Sequence, residues 1–130
     1  MKILLVDDEF DYASLIAAFL AEQGHETIVL GHSLEAVDVY LEERPDLVLM
    51  DIIMPFADGI EVSEEIIGLD PDARITLVTA LGDFPDHTPS TLRSKLHLLP
   101  KPLRLDRSLF SRIYPALHFS RPQNGNGLKS

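Results

Sequence analysis

The chain alternates short, unbroken apolar blocks with longer amphipathic stretches. Five blocks, Lys2 to Val6, His25 to Leu30, Leu47 to Met50, Ile75 to Val78 and Leu96 to Leu99, are short and rich in Leu, Ile and Val, which predicts strands buried on both faces. Between the first two, Tyr12, Leu15, Ile16, Phe19 and Leu20 recur at helical spacing. They predict a helix from Phe10 to Gln23, stopped by Gly24, with this stripe in the core. Ser33 is expected to cap a second helix carrying Ala36, Val37, Tyr40 and Leu41, which Pro45 ends. A third helix carries Ile60, Val62, Ile66, Ile67 and Leu69 and closes at Pro71. After Thr79 the periodicity fades, with prolines at 85 and 89. Leu81 to His87 is expected to be an extended loop, and a short fourth helix to start with Thr88 as N-cap and Pro89 in its first position. A last helix is expected from Leu105 to His118, bent or shortened by Pro115, followed by a disordered tail at 120–130. Five strand–helix alternations without a hairpin signature predict an α/β fold: a parallel sheet with helices on both faces.

Composition narrows the class. The chain has 130 residues, 45% of them hydrophobic, which suits one domain with a core that needs no disulfide or structural metal. It contains no Cys, which excludes thiol catalysis and thiolate metal sites and suits a reducing compartment. The apolar run at the start is too short for a signal peptide or membrane span, so a cytoplasmic location is expected. A net charge of −10 argues against nucleic acid or anionic lipid as partner. The charge is uneven: residues 1–72 hold 18 acids and two bases, and residues 73–130 hold three acids and nine bases. Such polarity either reflects solvated faces or marks a docking surface.

The candidate chemistry centres on Leu47 to Gly59, LVLMDIIMPFADG, where an apolar strand ends on Asp51 and passes into a Pro/Asp/Gly turn. A lone Asp after a strand more often caps a turn than reacts. The other strands change that reading. Asp7 and Asp8 follow the first strand, Thr79 ends the fourth and Lys101 follows the fifth. Each has an innocent explanation alone, but the carboxyl edge of an open α/β sheet is where ligands bind, and these groups together suit phosphoryl transfer.

The series VDDE, VLMDIIMPFADG, LVTA and LLPKP resembles the receiver domain of bacterial response regulators, over about Lys2 to Phe119. The resemblance implies a flavodoxin-like, doubly wound five-stranded parallel sheet of order 2-1-3-4-5 with five flanking helices, the fourth short or irregular here. It implies a receiver domain over residues 1–119. It also implies that Asp51 is the phosphoacceptor, served by a sensor histidine kinase or a histidine phosphotransfer protein. Asp8, Asp51 and the backbone carbonyl of Ile53 would bind Mg²⁺ directly and Asp7 through water. Thr79 and Lys101 would each engage a phosphoryl oxygen, and the Lys101–Pro102 bond is often cis in the family. A domain of this kind catalyses only its own phosphorylation and dephosphorylation. Output would come from protein contacts or from draining phosphate out of a relay.

Two positions depart from the family pattern. Leu98 stands where a Tyr or Phe usually reports phosphorylation, and the fourth helix is interrupted by proline. Activation is therefore expected in the loop from Leu81 to His87. One rival reading is a pseudo-receiver that binds partners without phosphate, favoured only by Leu98 and opposed by the intact acid, hydroxyl and ammonium set. Another is a haloacid-dehalogenase-like phosphatase, which requires a second Asp two residues after the nucleophile, where this chain has Ile53.

Overall fold

Every apolar block forms a strand. The computed structural model describes residues 1–114, so the expected tail and the part of the last helix beyond Tyr114 lie outside the described residues. The strands are β1 (Lys2–Val6), β2 (Glu26–Leu30), β3 (Leu47–Asp51), β4 (Ile75–Thr79) and β5 (Leu96–Pro100). All neighbours pair in parallel, in the order β2-β1-β3-β4-β5. The helices are α1 (Phe10–Glu22), α2 (Ala36–Glu43), α3 (Gly59–Leu69), α4 (Ser90–Arg93) and α5 (Leu109–Ile113).

The sheet separates two apolar layers because successive strand residues face opposite ways. Leu4, Val6, Val48, Met50, Ile75 and Leu77 pack with α2, α3 and α4 through Tyr40, Ile60, Ile66 and Leu92. Ile3, Leu5, Leu47, Leu49 and Val78 pack with α1 and α5 through Ile16, Leu20, Leu109 and Ile113. Buried Thr76 interrupts the second layer, and its hydroxyl donates to the carbonyl of Ile113 at 2.7 Å, fixing α5 to the sheet. Among the described residues, no helix is long and apolar enough to cross a membrane.

Several local expectations need correction. Leu15 of the α1 stripe is 59% exposed, and Ala13 and Ala17 face the core instead, where small side chains let α1 sit close to the sheet. Leu69 and Leu41, at or near the ends of their helices, are also exposed. Ser33 does not cap α2, whose N-cap is Glu35 without a side-chain hydrogen bond. Its hydroxyl instead donates to the Pro55 carbonyl at 3.1 Å and accepts from the Ala57 amide at 3.4 Å, tying the turn after β3 to the loop after β2. The N-cap of α4 is Pro89, and the buried Thr88 hydroxyl has no partner among the described residues. The last helix begins at Leu109, not Leu105, because the Asp106 carboxylate accepts from the Ser108 amide at 2.9 Å and holds a turn there.

Candidate functional site

The parallel register brings the strand ends to one edge. Val6 lies beside Met50, Asp51 beside Val78, and Thr79 beside Pro100, so the residues that follow β1, β3, β4 and β5 emerge together. Asp7 and Asp51 are each only 7% exposed, and Asp8 is exposed. Carboxylate oxygens of Asp7, Asp8 and Asp51 lie within 4.8 Å of one another.

Lys101 enters this cluster from β5. Its ammonium lies 2.9 Å from Asp7, 3.0 Å from Glu9 and 3.3 Å from Asp51. Its backbone amide donates to the Thr79 carbonyl at 2.9 Å, and the Lys101–Pro102 bond is cis. The Tyr12 ring lies 4.9 Å from the ammonium, a cation–π distance, and the Tyr12 hydroxyl accepts from the Leu103 amide at 2.9 Å. Sequence alone does not mark Glu9 or Tyr12 as site residues. Glu9 was visible only as the third acid after β1, and Tyr12 only as a member of the core stripe.

Burial raises the Asp51 carboxyl above the usual carboxylate range. Lys101 opposes that rise, and the charges of Asp7 and Asp8 add to it. For Lys101, burial alone would lower the ammonium, but hydrogen bonds to Asp7 and Glu9 and the charge of Asp51 reverse this and leave it raised. Lys101 is therefore firmly charged at neutral pH.

One ammonium faces four carboxylates, so negative charge remains in excess. The donor set is hard oxygen, and the carbonyl of Ile53 accepts no hydrogen bond among the described residues. Such a set suits a small divalent cation like Mg²⁺, which takes carboxylates, carbonyls and water. Thr79 is buried at the end of β4, and its hydroxyl accepts from the Leu81 amide at 3.0 Å. Ala80, next in the chain, is exposed and small.

The turn after β3 is held by Gly59, whose amide donates to the Ile52 carbonyl at 2.7 Å. A Cβ at Gly59 would collide with the carbonyl oxygen of Asp51, so only glycine lets α3 begin this close to the site. Asp58 and Glu61 complete the start of α3 with a reciprocal capping box. The other oxygen of Asp58 pairs with His87 at 3.1 Å, which links this turn to the loop after β4.

The chain matches the response regulator receiver domain over residues 3–112. It is 33% identical over 105 residues to sporulation initiation phosphotransferase F of Bacillus subtilis, covering 81% of this chain and 85% of the relative. It is 41% identical over 81 residues to the chemotaxis protein CheY of Halobacterium salinarum, covering 62% and 68%. Among solved structures, CheY of Borrelia burgdorferi, crystallised with CheX, BeF₃ and Mg²⁺, superposes with a TM-score of 0.77 at 25% identity, over 90% of this chain and 89% of that one. The Thermotoga maritima response regulator TrrA, bound to Mg²⁺ and BeF, superposes with a TM-score of 0.68 at 31% identity, over 78% and 89%. With this sheet order, this strand-end cluster and a family match across most of its length, the chain belongs to the response regulator receiver family.

Proposed function

We propose that this receiver accepts a phosphoryl group on Asp51 from the phosphohistidine of a sensor histidine kinase or histidine phosphotransfer protein. The observation that carries the reading is the pairing of Asp51 with Lys101 at 3.3 Å inside a carboxylate cluster that is otherwise too negative to receive a phosphoryl group. In the transfer, a carboxylate oxygen of Asp51 attacks phosphorus, the new O–P bond forms as the P–N bond breaks, and the donor imidazole leaves with the electron pair. Lys101 stabilises charge on the transferring oxygens, and the hydrogen bond from its amide to the Thr79 carbonyl holds it at the cluster. The Thr79 hydroxyl accepts from the Leu81 amide, which leaves its proton to donate to a phosphoryl oxygen.

Asp8, Asp51 and the Ile53 carbonyl would hold Mg²⁺ directly, and Asp7 through water. The cation supplies neutralising charge for the phosphoryl oxygens. Mg²⁺ in the fluoroberyllate complexes of the Borrelia and Thermotoga relatives supports this assignment. The receiver would act in the cytoplasm and turn over no other substrate, with output through protein contacts or as a phosphate sink.

The test is incubation of the full chain with acetyl phosphate and Mg²⁺, followed by intact mass. A single phosphoryl adduct is expected on the wild type and none on Asp51→Asn or Asp51→Ala, with circular dichroism unchanged. An adduct persisting on Asp51→Ala would refute the assignment, and an unmodified wild type that still binds partners would favour a phosphate-independent receiver.

A further inference from the structure

Away from the acid cluster, a groove of about 320 Å³ runs between α2 and α3. Val37, Ala57 and Val62 form its apolar floor, and Leu34, 65% exposed, stands at its edge. Asp38, Glu61 and Glu65 line its rim, and no Lys or Arg does. Asp38 and Glu65 have no ion-pair or hydrogen-bond partner among the described residues. An apolar floor under a rim of one charge sign is the complement of an amphipathic segment of the opposite sign.

The groove is also pre-formed. The capping box fixes the start of α3, and the Ser33 hydroxyl bridges Pro55 and Ala57 across one end. A surface held this firmly loses little conformational freedom when a partner docks.

We propose that the α2–α3 groove docks a basic amphipathic helix from a partner protein. Leu34, Val37 and Val62 receive its apolar face, and Asp38, Glu61 and Glu65 pair with its Lys or Arg. A second copy of this chain is a poor occupant. Among the described residues, the three helices of eight or more residues carry no Lys or Arg, and α4 and α5 span only four and five residues.

The probe is a labelled Leu/Lys amphipathic helical peptide, with a Leu/Glu peptide of the same pattern as control, titrated against the full chain. The Leu/Lys peptide should bind, with amide shifts confined to residues 34–38 and 57–65, and the Leu/Glu peptide should not. Asp38→Lys combined with Glu65→Lys should weaken binding at least about tenfold, whereas Asp11→Lys with Glu22→Lys, an equal charge reversal on α1, should change it less than about twofold. Leu34→Ser, at an exposed position, should also weaken it. Equal losses in the two double variants would overturn the proposal by showing attraction to acidic surface in general. A dimer of the free chain, broken by Asp38→Lys with Glu65→Lys, would overturn it in favour of a second copy.

Discussion

At the carboxyl edge of the sheet, the ends of β1 and β3 are built differently from the segment after β4. Around Asp51 the backbone has little slack: Gly59 leaves no room for a Cβ beside the Asp51 carbonyl, Ser33 bridges the turn and a capping box locks α3. After Thr79 the chain crosses a stretch with exposed Leu81 and Gly82 before one turn of α4. That stretch is held by a few contacts: His87 to Asp58, and Arg93 near the Phe84 ring and within 3.4 Å of the Pro85 and Thr88 carbonyls. Half-buried Phe84 also packs against the core. Chemistry that needs fixed charge sits in the rigid half, and the half with low local stability is free to respond.

The strongest way to break this contrast is to remove a proposed Mg²⁺ ligand from the rigid half. Asp8→Ala should reduce Mg²⁺ affinity by more than the roughly tenfold that loss of an outer-shell partner typically costs. A Mg²⁺ titration followed by backbone amide shifts would check it, and unchanged affinity would move the ligand elsewhere.

Next in size is the same substitution made in both halves. Gly59→Ala forces the turn away from Asp51 and should cost about 2 to 3 kcal/mol of stability, together with slower phosphorylation by acetyl phosphate. Gly82→Ala meets no atom within 4 Å and suffers only its φ of +83°, so about 1 kcal/mol should be lost with the phosphorylation rate unchanged. Denaturant melts and initial rates on the two variants would separate the halves. Equal rates in both would mean that the turn after β3 is not rigid.

Smaller again is the effect on phosphate lifetime. Ile53 and Leu81, 57% and 53% exposed, stand two residues beyond Asp51 and Thr79 and cannot hydrogen-bond an attacking water into line. Hydrolysis should be slow, and Ile53→Asn with Leu81→Lys should speed it by roughly tenfold. An unchanged decay of the adduct would end this account.

The smallest expected effect is conformational. On phosphorylation with Mg²⁺, hydrogen exchange should change most between Ala80 and Lys95, and His87→Ala should enlarge exchange there already in the unphosphorylated chain by freeing the loop from Asp58. Leu98, half-buried against the core, should keep its rotamer. A large Leu98 rearrangement beside a silent loop would reverse the assignment of the responsive half.

The fold was legible because its strongest signals are local and repeated. Unbroken apolar blocks can only be buried on both faces, and their alternation with amphipathic helices leaves a parallel sheet as the simplest solution. Asp7, Asp8, Asp51 and Lys101 were legible as a group because each follows a strand, and strand ends of a parallel sheet share an edge. Side-chain partnership between distant segments was not legible. Nothing near Glu9 in sequence indicates Lys101, and nothing near Ser33 indicates Pro55 and Ala57, so its hydroxyl reads as a cap until the β2–α2 loop meets the turn after β3. The exposure of Leu15 was equally hidden, since helical periodicity sets the angle of a side chain but only the sheet decides which angle is inside. Local pattern thus determined the elements and the reactive edge, while tertiary packing decided which polar groups meet and how tightly the backbone around Asp51 is held.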